Sequence, residues 1–301
     1  MAIEALRTPD ERFRDLPGFP YQPSYIDDLT GYEGLRMAFI DEGPRNAAHT
    51  FLCLHGEPSW SYLYRKMIPV FLANGARVVA PDMFGFGRSD KPVKVEDYSF
   101  HFHRNALLRF VESLDLRGRT LVCQDWGGLL GLTMPVDQGF HTRLKRLLVM
   151  NTALAVGRPP SEGFKVWREY NRRTPDMAVG ALIKRGTPGL TDAEAAAYDA
   201  PFPDVRYKAG VRAFPELVMT DPGMPGVEES RAAEAFWSTE WSGPTFMAVG
   251  AADPVLSPPV MAELRQKIRG CPEPLVIPDG GHFLQEWGEQ VARAALLAFG
   301  G

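Results

Sequence analysis

One aspartate in this sequence stands where a reactive side chain would be well placed. Asp125 follows the apolar run Arg119–Cys123 and precedes a helix-like segment, with Cys123 and Gly127 two positions to either side. In a nucleophile elbow, a sharp strand-to-helix turn exposes the side chain at its tip, and small flanking residues let strand and helix approach. Asp125 is therefore a candidate nucleophile, although an aspartate here would also serve as an ordinary helix N-cap.

Two later residues would complete a catalytic triad with Asp125. Asp253 comes just after the strand-like run 245–249, and His282 lies in a glycine-rich turn after the last such run. The order nucleophile, acid, histidine is that of α/β-hydrolase triads, in which the acid orients the imidazole and stabilises its protonated form. Three such residues in this order, each after a predicted strand, favour the triad Asp125, Asp253 and His282.

A fourth element is the loop 54–60, which follows an earlier strand-like run. In this architecture one oxyanion-hole N–H comes from such a loop and the other from the residue after the nucleophile. These would be the backbone amides of Glu57 and Trp126. His55, beside a glycine in the same loop, is expected to brace the loop by hydrogen bonding.

Short apolar runs bounded by turn residues alternate with helix-length segments along the chain, as expected for the elements that position these residues. This alternation predicts an α/β fold with a mostly parallel central sheet flanked by helices, since parallel neighbours need crossover connections. The strand-like runs are 50–54, 76–80, 119–123, 145–150, 245–249 and 274–277, and the helix-like segments are 62–72, 102–114, 127–134 and 286–299.

The segment 155–227 breaks this alternation. It contains helix-length pieces separated by prolines and no strand-like run. Inserted between two sheet strands, it would project from the carboxyl edge of the sheet, where open α/β proteins place their ligand crevice. The prediction is one core domain, residues 1–154 and 228–301, interrupted by a helical cap of residues 155–227.

Composition narrows the class of protein. The 301 residues are 45% apolar, and 33 Lys+Arg against 37 Asp+Glu give a net charge of −4. This composition disfavours disorder, and the lack of basic runs disfavours nucleic-acid and membrane-surface partners. The first 20 residues carry charges rather than an apolar core, and three cysteines are too few and too far apart for a disulfide framework. A cytoplasmic protein with a small, uncharged partner is expected.

Four segments together resemble the haloalkane dehalogenase family nearly end to end. The resemblance is to the branch that holds halide between two tryptophans, because Glu57 and Asn151 stand where the other large branch has an asparagine and the triad acid. This assigns the acid to Asp253. The segments are LCLHGEPSW at 52–60, PDMFGFGRSDKP at 81–92, QDWGG at 124–128 and GHF at 281–283.

The resemblance implies a hydrolytic dehalogenation of haloalkanes to a primary alcohol, halide and a proton. Asp125 would displace halide to form an alkyl ester, and His282, oriented by Asp253, would activate the water that hydrolyses it. Trp126 and Trp167, the latter on the cap, would bind the halide through their indole N–H groups. The scheme needs no metal or organic cofactor, and the expected assembly is a monomer or weak homodimer.

Large apolar residues of the predicted cap are expected to line the substrate pocket. A sealed apolar cavity selects uncharged, lipophilic substrates and excludes bulk water. The expected lining residues are Phe164, Phe202, Phe214 and Leu217.

Three alternatives remain open. An epoxide hydrolase uses the same aspartate nucleophile but needs acids, usually two cap tyrosines, and Tyr170, Tyr198 and Tyr207 are candidates; Glu57 and the tryptophan pair argue against it. A fluoroacetate dehalogenase would need arginines just after the nucleophile, where 127–130 has none. A non-catalytic binding module would be expected to lack a member of the triad, and none is missing.

Overall fold

The structure is a computed structural model and describes residues 3–300. Its strands and helices alternate along most of the chain. The strands are β1 Ala5–Leu6, β2 Ser24–Ile26, β3 Met37–Glu42, β4 Thr50–Leu54, β5 Arg77–Pro81, β6 Lys91–Pro92, β7 Arg119–Cys123, β8 Leu144–Met150, β9 Thr245–Gly250 and β10 Leu275–Ile277. The α-helices are α1 Ile68–Ala73, α2 Phe100–Ser113, α3 Trp126–Gly131, α4 Gln138–His141, α5 Glu162–Arg173, α6 Val179–Arg185, α7 Asp192–Asp199, α8 Ala209–Leu217, α9 Val227–Thr239, α10 Pro258–Lys267 and α11 Gly288–Ala298.

Eight strands form one sheet in the order β10-β9-β8-β7-β4-β5-β3-β2, and β1 pairs with β6 separately. The six strands from β10 to β5 are parallel, whereas β3 pairs antiparallel with both of its neighbours, β5 and β2. β4, β5, β7 and β9 are buried along their whole length, as expected for parallel strands covered by helices on both faces. The predicted α/β fold is confirmed, and each of the six predicted strand-like runs is a strand.

The antiparallel strands β2 and β3 were not predicted from the sequence. β3 ends on two acidic residues, which hide its apolar beginning from a periodicity argument. In the structure Asp41 of β3 accepts two hydrogen bonds from Arg77 of the neighbouring β5, at 2.7 and 2.8 Å. This pairing between strands neutralises the acid within the sheet.

The predicted helix 62–72 is divided in two. Residues Ser61–Lys66 form a 3₁₀ helix, and α1 begins at Ile68 with Pro69 in its first turn. A proline in the middle of one continuous α-helix would remove a hydrogen bond and clash with the preceding turn, whereas the first turn of a helix accepts it. The last helix likewise begins later than predicted, because Leu284–Trp287 is a separate 3₁₀ turn before α11.

Between β8 and β9 the described chain is helical and contains α5 to α9. Local signals fix several of these helix starts: Ser161 caps α5, and Thr191 with Glu194 forms a reciprocal capping box at α7. Within residues 3–300, none of the helices is long and apolar enough to cross a membrane. The division at residues 155 and 227 into core and cap stays a prediction.

A buried ion-pair network connects α7 to the segment that follows His282. Arg65 donates two hydrogen bonds to Glu286, at 2.6 and 2.8 Å, and one to Glu194 of α7 at 2.8 Å. The Tyr198 hydroxyl, also on α7, donates to the same Glu286 carboxylate. The side chains of Arg65 and Glu286 are 2% and 1% exposed, and the half-exposed Lys66 also lies 2.9 Å from Glu286 Oε2. Arg65 is thus the buried cation that compensates the Glu286 charge. This network fastens one helix of the 155–227 segment to the sheet domain.

Replacing Arg65 by methionine is expected to lower the free energy of unfolding by about 3–5 kcal/mol, because Glu286 would stay buried with only the half-exposed Lys66 as a charged partner. Urea denaturation followed by circular dichroism measures this change. The matched control is Arg293→Met, which breaks a pair with Glu289 whose side chains are 66% and 65% exposed and should cost less than about 1 kcal/mol. Equal midpoints for the two variants would show that the buried network contributes little.

Candidate active site

Asp125 lies at the tip of a strained turn between β7 and α3. Its backbone has φ 49° and ψ −124°, a conformation that costs a non-glycine residue about 1–3 kcal/mol. Neighbouring strand ends hold it there: the Asp125 amide donates to the Asn151 carbonyl at 2.9 Å, and the Thr152 hydroxyl donates to the Asp125 carbonyl at 2.7 Å. The turn therefore has the geometry of a nucleophile elbow, and the Asp125 side chain does not cap the helix.

Two glycines are required by the close approach of this turn to the end of β4. A Cβ on Gly56 would lie 2.4 Å from Oδ1 of Asp125, and a Cβ on Gly127 would lie 2.0 Å from the Leu54 carbonyl oxygen. Both separations are shorter than any tolerated contact. Glycine at these positions lets the loop after β4 reach the carboxylate.

The structure brings Asp125, Asp253 and His282 together at the carboxyl ends of the strands. Nδ1 of His282 lies 2.9 Å from Oδ2 of Asp253, and Nε2 lies 3.5 Å from Oδ2 of Asp125. The other Asp253 oxygen, Oδ1, accepts the amides of Val255 and Leu256 at 2.8 and 3.0 Å. One imidazole thus bridges two carboxylates, through opposite ring nitrogens.

Asn151 also supports the buried acid. Its Nδ2 donates to Asp253 Oδ2 at 3.0 Å, and its Oδ1 accepts the Gly250 amide at 2.8 Å. An amide at this position can donate to the carboxylate, whereas a second acid would repel it. Asn151 and Asp253 are thereby fixed in one arrangement at the ends of β8 and β9.

The charges of the site shift the pKa values of its members. Burial by itself lowers the pKa of His282, but the carboxylates of Asp253 and Asp125 raise it well above its ordinary value. Burial raises the pKa of Asp253, yet the His282 charge and hydrogen bonds outweigh this and lower it overall. The free site therefore favours an imidazolium between two carboxylates.

Glu57 contributes in two different ways. Its backbone amide donates to Oδ1 of Asp125 at 2.8 Å, and the amide of Trp126 lies in the first turn of α3, where no intrahelical acceptor exists. The Glu57 side chain is buried, and its Oε1 atom has no hydrogen-bond partner among the described residues. Burial and the nearby Asp125 charge raise the pKa of Glu57 well above its usual range, so the neutral acid is favoured.

His55 braces the same loop, in the manner expected from the sequence. Its Nε2 accepts the Met83 amide at 2.9 Å, and Nδ1 lies 2.9 Å from the Gly56 carbonyl, to which it donates. Burial lowers the pKa of His55, in keeping with a neutral ring that is a donor on one side and an acceptor on the other.

A cavity of about 720 Å³ opens in front of Asp125. Trp126, Glu57 and His282 line it from the sheet side, and Phe164 and Trp167 line it from α5, where they are three residues apart on one helix face. Most of the remaining lining is aliphatic and comes from the ends of α6 and α8 and from the loops after β8 and β9. This volume lies in the range of small-molecule sites.

Three of the four aromatic or large apolar residues expected to line the pocket do not line it. Phe214 is fully buried behind Trp126, with ring centroids 4.7 Å apart, and Phe202 packs on Phe86. Leu217 packs against the apolar core instead. On α8 the register turns Phe214 inward and presents the adjacent Pro215 to the cavity.

The aliphatic part of the lining was not predicted from the sequence. Most of these residues come from helix ends and loops, which carry no periodic apolar signal. They include Leu129, Leu154, Val156, Leu182, Val218, Met219, Val255 and Val260.

No tyrosine is among the described residues that line the cavity. Tyr198, one of the acids considered for epoxide opening, is buried and donates its hydroxyl to Glu286 instead. Within residues 3–300, no group of three or more histidine, cysteine or acidic side chains is arranged to hold a metal ion. The cavity presents the Asp125 carboxylate, the His282 imidazole and two indole rings to a ligand, and its lining also includes charged residues, which are Arg158, Arg185, Glu263 and Lys267.

The indole donors of the cavity differ from those of the core. Trp60, Trp237 and Trp241 donate their N–H groups to protein oxygens at 3.2, 2.7 and 2.8 Å. For Trp126 and Trp167 no such acceptor is found among residues 3–300, and both line the cavity. Their N–H groups are thus available to a ligand.

Comparison with known proteins gives the same fold and names a family. Residues 49–289 match the family model described as alpha/beta hydrolase fold. The chain is 44% identical to a haloalkane dehalogenase of Psychrobacter cryohalolentis, over 97% of this chain and 96% of that protein. It is 41% identical to a haloalkane dehalogenase of Mycobacterium marinum, over 94% of this chain and 95% of that protein.

A solved structure of similar length extends this relationship. The tetrameric haloalkane dehalogenase DpaA from Paraglaciecola agarilytica superimposes with a TM-score of 0.96 at 53% identity, over 99% of both chains. The tetrameric state of that protein does not fit the monomer or weak dimer expected from the present sequence. The sequence relationship over nearly the full length, together with the shared fold, places this chain in the haloalkane dehalogenase family.

Proposed function

We propose that the protein hydrolyses the carbon–halogen bond of small, uncharged haloalkanes through a covalent alkyl ester on Asp125. The observation that carries this proposal is a carboxylate, rather than a hydroxyl or thiol, at a strained elbow 3.5 Å from an imidazole. A carboxylate can displace halide from a saturated carbon, and the resulting ester is then open to hydrolysis.

In the first half-reaction an oxygen of Asp125 attacks the carbon that carries the halogen, and the halide leaves with the electron pair of the broken bond. The leaving anion then needs hydrogen-bond donors, and the indole N–H groups of Trp126 and Trp167 are suited to this task. Neutral donors stabilise a halide in an apolar cavity without the tight binding that a buried cation would produce. His282 is not a reactant in this step.

In the second half-reaction His282 takes a proton from water, and the oxygen of that water attacks the carbonyl carbon of the Asp125 ester. The amides of Glu57 and Trp126 stabilise the tetrahedral oxyanion, and Asp253 stabilises the imidazolium that forms. Breakdown releases a primary alcohol and restores the Asp125 carboxylate. The scheme uses side chains and backbone alone.

The pKa of His282 differs between the free site and the ester, and this difference favours hydrolysis only after the ester has formed. The Asp125 charge helps to raise the pKa of His282 in the free site. Esterification removes that charge, so the pKa of the imidazole falls when the ester forms. The ring then releases its proton to solvent and becomes the neutral base that the second step needs. Formation of the intermediate thus prepares the group that hydrolyses it.

The proposed cap, residues 155–227, covers this site as a helical insertion in the core domain of residues 1–154 and 228–301. It supplies Phe164 and Trp167 to the cavity, together with aliphatic residues of α6 and α8. An apolar cover keeps bulk water away from the carboxylate and favours lipophilic substrates. Short and medium primary chloro-, bromo- and iodoalkanes are the substrate class that this lining suits.

His282→Phe is expected to form the ester but not to hydrolyse it, because the base of the second step is gone. With 1-bromobutane, intact-protein mass spectrometry should show a gain of one butyl group, and turnover should fall by about 10²–10⁴-fold. Asp125→Ala should release no bromide and gain no mass. The matched control is His101→Phe, at a histidine whose side chain is 46% exposed, and it should turn over normally. Normal turnover by His282→Phe would contradict the assignment of His282 as the base.

The same panel tests the choice of reaction. Wild-type protein is expected to acidify a pH-indicator solution with 1-bromobutane and to leave styrene oxide unchanged. Ring opening of styrene oxide without halide release from bromoalkanes would replace the proposed function by epoxide hydrolysis.

Hydrolysis of the alkyl-enzyme is expected to require neutral His282, so its rate should fall as the pH drops below the pKa of that group. Because Asp125 is uncharged in the ester, this midpoint should lie below that of the His282 titration in the free enzyme. Rapid-quench kinetics gives the midpoint of the hydrolysis rate, and NMR of the imidazole gives the midpoint of the His282 titration in the free enzyme. Asp125→Asn removes the same charge, so its His282 titration should show the lower midpoint by NMR. Equal midpoints for the hydrolysis rate, the free wild-type enzyme and Asp125→Asn would contradict an effect of the Asp125 charge on His282.

Trp167→Phe is expected to weaken halide binding, because it removes one of two N–H donors to the anion. Loss of one hydrogen bond to a charged group should raise the Kd for bromide by about 10- to 100-fold. Quenching of the remaining tryptophan fluorescence by bromide measures this. Trp287→Phe is the control, since Trp287 does not line the cavity; identical bromide titrations for wild type and Trp167→Phe would remove Trp167 from the halide site.

A further inference from the structure

The side chain of Gln124 connects the two reacting elements of the site. Gln124 immediately precedes Asp125 in the chain and is completely buried. Its Nε2 donates to the main-chain carbonyl of His282 at 2.9 Å, across 158 positions of sequence. The mechanism described above gives this amide no role.

A second glutamine lies at the acceptor end of the Gln124 amide, opposite the His282 carbonyl. Oε1 of Gln124 accepts from Nε2 of Gln285, at 3.4 Å, and Gln285 is also completely buried. Since the acceptor end of the amide faces Gln285, the donor end faces the His282 carbonyl. Gln285 belongs to the 3₁₀ turn Leu284–Trp287, which directly follows the histidine segment.

The segment that carries His282 needs this support. The His282 ring must remain 2.9 Å from Asp253 and within reach of Asp125 at 3.5 Å. Two glycines precede it, and Gly280 is held through its carbonyl by the Ala252 amide at 2.8 Å. The bond from Gln124 acts on the main chain of His282 itself, so it resists rotation and translation of the residue that bears the base.

We propose that Gln124 is a positioning residue for ester hydrolysis, because its buried amide ties the main chain of the base His282 to the residue that precedes the nucleophile Asp125. The inference rests on the proposed function. Because Gln124 and Asp125 share a peptide bond, the tie fixes the base relative to the nucleophile rather than to the fold in general.

The two half-reactions should respond differently to loss of this tie. Ester formation uses Asp125 and Trp126, which are held by the elbow and by the strand ends, and Trp167 of α5. None of these three groups is positioned by the bond from Gln124 to His282. Hydrolysis requires His282, a water molecule and the ester carbonyl to be aligned, and a misplacement of about 1 Å costs such a step about 10²-fold. A positioning role therefore predicts a selective loss in hydrolysis.

Gln124→Met removes the donor while nearly preserving length and volume. With 1-bromobutane, rapid quenching and intact-mass analysis separate ester formation from ester hydrolysis. We expect ester formation within about twofold of wild type and hydrolysis slowed by about 10- to 100-fold, so that the butyl-enzyme accumulates in the steady state. Equal slowing of both steps, or unchanged hydrolysis, overturns the positioning role.

Thr120→Val provides a matched control on the same strand. Thr120 is completely buried in β7, and its hydroxyl has no hydrogen-bond partner among the described residues. The substitution thus changes a buried polar side chain without removing a tie to His282. Both half-reactions should keep their wild-type rates, and accumulation of the butyl-enzyme in this control would attribute the effect of Gln124→Met to general perturbation of the strand.

Gln124→Glu keeps the test decisive if the methionine variant does not fold. Burial keeps a glutamic acid neutral at this site, so its O–H can donate to the same carbonyl and should partly restore hydrolysis. Ionisation at higher pH would turn that donor into a repelling carboxylate. The hydrolysis rate of this variant should therefore fall at high pH, where the wild-type rate stays high; a rate that follows the wild-type profile overturns the proposal.

The design also separates the two proposals. A wild-type protein that releases no bromide and forms no butyl-enzyme overturns the proposed function. Normal wild-type turnover combined with no selective loss in Gln124→Met overturns the role of Gln124 alone.

Discussion

The carboxylate of Asp125 must contact a backbone amide and an imidazole and still face an open cavity. The rest of the structure depends on meeting these three requirements together. An amide approaches from the loop after β4, an imidazole from the segment after β10, and a cavity must remain open in front. Gly56 and Gly127 permit the first approach, because any Cβ there would collide with Asp125 or with the end of β4. The strained backbone of Asp125 costs about 1–3 kcal/mol, which the surrounding parallel strands must offset by holding the turn on both sides.

Electrostatics is the second consequence of placing this carboxylate in an apolar cavity. Charges interact strongly where water is excluded, so Asp125 and Asp253 both act on the single imidazole of His282. Glu57, close to the same charge, is favoured as a neutral acid. The site thus holds three acids near one base with few unpaired charges, and any change in the charge of Asp125 is transmitted directly to the imidazole.

Polar ties hold the segment around His282 from two sides. Gln124 bonds its main chain from the nucleophile side. Glu286, four residues later, is bonded to Arg65 and Tyr198 and so to α7. By contrast, α5 carries Trp167 and has one fully buried residue, Asn171. His282 is therefore held by several buried polar ties, whereas α5, on the opposite wall of the cavity, buries few of its side chains.

The sequence by itself determined the parallel strands and the chain order of Asp125, Asp253 and His282, because buried strands and strand-to-helix turns leave local patterns of apolar, glycine and small residues. It also determined that the region after residue 154 is helical. The tertiary structure alone decided which residues of the segment 155–227 face the cavity, since a rotation of one residue on α8 exchanges Phe214 for Pro215. It also decided the strand β3 and the tie from Gln124 to His282, because both depend on partners that are distant in the chain and leave no local signal.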